Sequence, residues 1–150
     1  LSGQAMAQLV RQAKEDFDFV LMDSPAGLGE GFQLAVCAAD RAVVVCTTDA
    51  SALRDAQRTV SVLRNRIPRI HLVVNRVQPR LLRRLHTTID DAMDAAGLPL
   101  LGIVPEDPQV MLCANQGQPL ILRASRGAAV AYLNIAKRLL GQKAPLMKIR

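Results

Sequence analysis

Met6, Leu9, Val10 and Ala13 recur at i, i+3, i+4 and i+7, a spacing that predicts a helix with one buried stripe. The run Phe17-Asp18-Phe19-Val20-Leu21-Met22 predicts a strand, stopped by Asp23-Ser24-Pro25-Ala26-Gly27, a loop by composition. Phe32, Ala35 and Val36 then mark a short helix near 30–39, and Arg41-Ala42-Val43-Val44-Val45-Cys46 a second, continuously apolar strand. Leu53, Ala56, Val60 and Leu63 predict the next helix, with Asp49 or Ser51 as its N-cap. Ile70-His71-Leu72-Val73-Val74 is a third strand, ending at Asn75-Arg76. A single helix through Leu82, Leu85, Ile89 and Ala92 follows, stopped by Gly97 at a C′ position and by Pro99. Leu100-Leu101-Gly102-Ile103-Val104 is the fourth strand, cut off by Pro105-Glu106-Asp107-Pro108. A last helix, capped by Ser125, presents Ala129, Leu133, Ala136 and Leu140.

Strand and helix therefore alternate, which requires crossover connections. The expected fold is α/β, a parallel sheet with helices on both faces. No repeat, low-complexity tract or linker divides residues 1–150, so a single domain is expected. In such a sheet the ligand sits beyond the C-terminal ends of the strands.

Composition narrows this picture. The chain is 50% hydrophobic but only 3% aromatic and lacks Trp, so its core must be aliphatic, as suits helices on a Val-rich parallel sheet. Cys37, Cys46 and Cys113 are odd in number and widely spaced, with neither disulfide nor metal-ligand spacing, and are expected as buried free thiols. No apolar run approaches the roughly 20 residues of a membrane span, and no secretory signal leads the chain, so a soluble cytoplasmic protein is expected. The net charge of +6 favours an anionic partner (nucleic acid, acidic lipid or nucleotide) without choosing among them. His71, within an apolar strand, reads as structural, and His86, on a basic helix, as solvent-facing.

The chemistry collects at the strand ends. Asp23 follows an apolar strand, where a carboxylate at a rigid tip can orient magnesium and its waters beside nucleotide phosphates. A strand-end Asp is otherwise a turn former or helix cap. Asp23-Ser24-Pro25-Ala26-Gly27-Leu28, followed by Glu30-Gly31-Phe32, resembles the Walker B and switch II segment of the MinD/ParA family of P-loop ATPases. The resemblance, to the MinD branch in particular, continues in Ala39-Asp40-Arg41-Ala42-Val43-Val44-Val45, Leu53-Arg54-Asp55-Ala56 and Val74-Asn75-Arg76-Val77. It extends through Gly102-Ile103-Val104-Pro105-Glu106-Asp107, Asn115-Gln116-Gly117-Gln118-Pro119 and Asn134-Ile135-Ala136-Lys137-Arg138-Leu139-Leu140-Gly141. DxPAG alone would mark only the wider class; the ordered set covers nearly the whole chain.

The resemblance implies that Asp23 holds Mg2+ and its water network, while Pro25, Ala26, Gly27 and Leu28 form the switch that senses the γ-phosphate. It implies that Asn75, with Arg76, Pro105, Glu106 and Asp107, holds the adenine of ATP. An amide suits adenine because it offers a donor and an acceptor to N7 and N6. Read without the resemblance, Asn75 is a turn residue and Asp107 a helix cap. The family implies an ATP-dependent homodimer, peripheral attachment to an anionic membrane, and a division inhibitor and a topological-specificity protein as partners, together positioning the septum. The alternatives are a ParA-type partitioning ATPase binding DNA and an adaptor domain without nucleotide chemistry. No Gly-x-x-x-x-Gly-Lys-Ser/Thr occurs in the 150 residues, so the chain is expected to be the C-terminal part of such a domain. By itself it is expected to be inactive and at most a weak nucleotide binder. The final segment mixes Leu146, Met147 and Ile149 with Lys143, Lys148 and Arg150, a composition suited to weak, salt-sensitive binding at an acidic lipid surface.

Overall fold

A computed structural model describes residues 2–149. It contains α1 (Gly3–Asp16), α2 (Glu30–Ala38), β1 (Arg41–Cys46), α3 (Ala50–Leu63), β2 (Arg69–Val77), α4 (Pro79–Leu85), α5 (Ile89–Ala96), β3 (Leu100–Pro105), α6 (Pro108–Asn115) and α7 (Ala128–Leu139), with one 3-10 turn at Leu120–Leu122. The strands form one sheet in the order β1-β2-β3, with β2 and β3 parallel, so the α/β class read from the alternation holds. Two compact units emerge: residues up to Ala42 with Arg58–Ile70, and Val43–Gln57 with the chain from His71 onward.

In the first unit α1 packs on α2. Ser2 caps α1 by accepting from the Ala5 N–H at 3.2 Å. Of the predicted α1 stripe Val10 is buried, whereas Leu9 is 55% exposed. Lys14 reaches Asp40 at 3.0 Å, and this hydrogen-bonded ammonium holds the Asp40 carboxyl below its ordinary range. The expected strand at 17–22 does not form. Its backbone has no ladder partner among the described residues, and Phe17, Phe19 and Leu21 are exposed. An apolar run reports side-chain preference, but a strand exists only where its N–H and C=O groups find a neighbour. Cys37 is also exposed rather than buried, its thiol donating to the Leu34 carbonyl at 3.0 Å.

In the second unit the central residues of β2 and β3 are buried, with Leu72 and Val74 at 0% exposure. On β1, Val43 and Val45 are exposed while Val44 and Cys46 are buried, so this strand alternates despite its uniformly apolar sequence. Asp49 is the N-cap of α3, accepting from the Ala52 N–H at 2.9 Å and from the Ser51 and Thr47 hydroxyls. Those donors, Ser51 first, depress its pKa strongly.

The single helix expected through 82–92 is two. His86, exposed as expected, ends α4 in the left-handed region at φ 52°, and Thr88 opens α5 with a reciprocal capping box to Asp91. The Thr88-x-x-Asp91 signal was present in the sequence but overridden by the hydrophobic period running through it. Gly97 ends α5 as predicted.

α7 packs on β3 through Gly102, where an added Cβ would lie 2.2 Å from Ile135 Cγ1. Its buried side carries Ala128 and Ala131, with Tyr132, Ile135 and Leu139 packed against the same cluster of Val73, Leu101, Val104 and Cys113. The predicted stripe is therefore offset: Ala129 is buried, but Leu133, Ala136 and Leu140 are exposed. Ser125 does not cap this helix either. The α7 N-cap is Gly127, and the acceptor for the Ala128 N–H is Asp107 Oδ2 at 3.1 Å, 21 residues away in sequence. The final segment is not helical; Met147 packs on the α7–β3 cluster, and the Ala144 carbonyl accepts from Arg138 at 3.1 Å. Leu1 and Arg150 lie outside the described residues.

Candidate functional site

The sheet places the base-binding candidates together. β2 continues past Val74, so Asn75 and Arg76 lie inside the strand rather than after it. Val74 pairs with Ile103 and Val77 with Pro105, which sets three steps on β2 against two on β3. The extra residue makes a bulge, a device that re-aims side chains at sheet ends. Arg76 occupies it at φ 53°, a left-handed conformation that costs a non-glycine residue of order 1 kcal/mol.

Three contacts hold this geometry. The Arg76 N–H donates to Asn75 Oδ1 at 2.9 Å, fixing the amide's orientation. Arg76 Nε donates to Glu106 Oε2 at 3.0 Å, and the Glu106 N–H donates to the Val77 carbonyl at 3.0 Å. The β3–α6 loop is thus tied to the end of β2 by one charged and one main-chain bond. Asp107 continues the loop as a helix cap, as one sequence reading had it. Its Oδ1 accepts from the Gln109 N–H at 3.0 Å while Oδ2 caps α7. Asn75, Pro105 and Asp107 are half-buried; Arg76 and Glu106 are exposed.

Beside these residues lies a cleft of about 450 Å³ lined by Val77, Gln78, Pro79, Arg80, Arg83, Pro105 and Glu106. Arg80 and Arg83 escaped the sequence reading because the run Pro79-Arg80-Leu81-Leu82-Arg83-Arg84 carries no motif beyond being basic. The Thr88-x-x-Asp91 capping signal, which sets α4 apart as a separate short helix, was the signal available.

Asp23, Pro25, Ala26 and Gly27 stand in the first unit, in the irregular, exposed stretch before α2. Gly27 has φ 87°, a conformation open to glycine and strained for side chains with a Cβ. Pro25 covers Gly31, whose Cβ would fall 2.7 Å from Pro25 Cγ, so the loop is braced against the first turn of α2. The Asp23 carboxylate is exposed, a hard oxygen donor of the kind that holds magnesium directly or through its waters.

Comparison with known proteins bears on the family and the fold. The ParA family, described as NUBPL iron-transfer P-loop NTPase, matches residues 1–140. The septum site-determining protein MinD of Synechocystis sp. is 36% identical over 150 residues, 98% of this chain and 56% of the relative. The chain thus spans about half the length of this relative. In a solved MinC:MinD cell division protein complex from Aquifex aeolicus, one chain superposes with a TM-score of 0.92 at 31% identity, covering 99% of this chain and 62% of that one. The septum site-determining protein MinD of Pyrococcus horikoshii, solved with Mg-ADP, shares the fold at a TM-score of 0.79 and 23% identity, over 92% of this chain and 56% of that one. The fold and the end-to-end similarity converge: the chain belongs to the MinD/ParA family of P-loop NTPases.

Proposed function

We infer that the chain supplies the switch and base-binding parts of a MinD-type ATPase, which positions the cell-division septum. The observation that carries this reading is the bulged end of β2, where Asn75, Arg76, Pro105 and Glu106 meet in a family whose members include a MinD bound to Mg-ADP. Asn75 presents its amide NH2 and a remaining Oδ1 lone pair to the base edge. Pro105 and Glu106 form one side of the adjoining cleft. Asp23 would hold magnesium, which when bound supplies positive charge against phosphate oxygens. The Pro25–Gly27 loop would sense the γ-phosphate through backbone that approaches without a Cβ clash.

The phosphate cradle itself is not among these 150 residues, so the chain alone should bind nucleotide weakly and turn none over. Adenine contacts of about 1 kcal/mol each do not replace a phosphate loop. A division inhibitor is the partner this reading favours, because the Aquifex MinD superposes in its complex with MinC. ATP-dependent dimerisation and peripheral membrane attachment complete the proposal.

The test joins the phosphate-loop segment of the Aquifex relative ahead of residue 1. Magnesium-dependent ATP hydrolysis should appear, and Asp23→Ala should lower it by orders of magnitude with the fold retained. A folded chimera whose turnover ignores Asp23→Ala would overturn the reading. The exposed Arg80, Arg83 and Arg84 of α4 favour a second reading, a ParA-type DNA binder. Salt-sensitive retention on duplex DNA, without retention on lipid, would select it.

A further inference from the structure

Arg76 stands out because its strained backbone and its side chain serve one arrangement. It is one of two non-glycine residues with positive φ among those described, and it sits in the β2 bulge beside the amide assigned to the base. The other, His86, merely ends a helix. The left-handed backbone falls where the register shifts, between the pairs Val74 with Ile103 and Val77 with Pro105. What the bulge accomplishes is local. It turns the Arg76 N–H back onto Asn75 Oδ1 and sends the guanidinium across to Glu106.

We propose that Arg76 is the positioning residue for base selection, its bulged backbone and its ion pair to Glu106 locking the Asn75 amide in one orientation. The inference rests on the reading that Asn75 meets the purine edge. Locked by the Arg76 N–H, the amide keeps Oδ1 fixed, with one lone pair left, and presents its NH2 beside it. A 6-aminopurine fits that pair, offering N7 to the NH2 and its amino group to Oδ1. A 6-oxopurine places O6 against the fixed Oδ1, acceptor against acceptor. An unlocked amide can turn about its terminal torsion, a soft and roughly two-fold one, and meet O6 or N7 with its NH2 alone, without Oδ1 being held against the base. The Glu106 carboxylate acts from outside: it anchors the guanidinium, which holds the backbone on which the lock depends. Both side chains are substantially exposed, 68% and 36%, so replacing them removes little packing.

The test is an NMR titration of the 150-residue chain with AMP and with GMP, read at the Asn75 side-chain amide and the Arg76 Nε–H. The parent should prefer AMP, and Asn75→Ala should abolish the preference. Arg76→Gly, which relieves the backbone strain but removes the ion pair, and Glu106→Ala should each reduce the preference about 3- to 10-fold, one hydrogen bond's worth of discrimination. The swapped pair Arg76→Glu with Glu106→Arg should recover most of it. Without nucleotide, the Arg76 Nε–H should be protected from exchange in the parent and lose protection in Glu106→Ala. Selectivity lost in Asn75→Ala but kept in Arg76→Gly and Glu106→Ala would overturn the positioning role while the base-binding reading stands. A parent that binds AMP and GMP alike, unaffected by Asn75→Ala, would overturn both.

Discussion

Asp107 offers the sharpest test of how the second unit is held together. One carboxylate serves two helices, Oδ1 capping α6 at Gln109 and Oδ2 capping α7 at Ala128. Asp107→Ala removes both acceptors. Loss of an N-cap costs about 1 kcal/mol. The α7 cap should cost more, because Ala128 is fully buried and its N–H would be stranded away from water at about 1–3 kcal/mol. The expected total is therefore about 2–4 kcal/mol, large against the about 5–15 kcal/mol of a typical domain. Asp107→Asn keeps the shape but turns one acceptor into a donor, and should cost roughly half as much. Gly127 supplies an independent arm. Its φ is 60°, and an added Cβ would lie 2.4 Å from Asp107 Oδ2, so Gly127→Ala should displace the carboxylate as well as strain the backbone. Once Asp107 is alanine that displacement has no further cost, so the double variant should fall short of the sum of the singles. Urea denaturation followed by circular dichroism measures the parent and the four variants, with unchanged m-values as the check on two-state behaviour. Asp107→Ala within about 0.5 kcal/mol of the parent would refute the double cap.

Further outcomes follow from other contacts. Gly102→Ala should destabilise by about 1–3 kcal/mol through overpacking against Ile135, and Ile135→Ala in the same chain should relieve part of that cost; additive losses in thermal melts would contradict the clash. The Asp49 pKa lies below its ordinary value, so its contribution to stability is complete above the unfolded value near 3.8 and lost as pH falls through the lower folded one. Asp49→Asn should remove that part of the acid limb in pH-dependent unfolding, and an unaltered limb would argue against the cap. Residues 1–150 should co-sediment weakly with acidic liposomes, and less so at high salt, because Met147 is engaged with the α7–β3 cluster. Arg138→Ala, which frees the Ala144 carbonyl, should strengthen that binding; tight binding by the parent that survives high salt would contradict the docked tail.

How much of this was legible beforehand depends on whether the physics is local. The strand cores at 41–46, 70–74 and 100–104 and the Gly97 stop are written in composition and short-range spacing, and the fold confirms them. The α7 cap and the α7 face were not legible in that way. Ser125 is the better local cap, but the carboxylate that serves the helix arrives from 21 residues earlier, and the helix turns the side that fits Gly102 toward β3. The site shows the same division more sharply. Asn75, Arg76, Pro105, Glu106 and Asp107 were identifiable through their resemblance, in order, to the family's. The bulge that makes Arg76 matter was not, because register is a relation between two strands and a one-residue insertion leaves no mark in either alone. A left-handed arginine also runs against residue preference, so propensity reasoning points away from it. Such a departure from local rule persists only where surrounding contacts over-determine it. Here Asn75 Oδ1 and Glu106 Oε2 do so from two sides, at 2.9 and 3.0 Å. The residue whose backbone is least predictable from its neighbours in sequence is therefore the one that joins the end of β2 to the β3–α6 loop at the candidate base site.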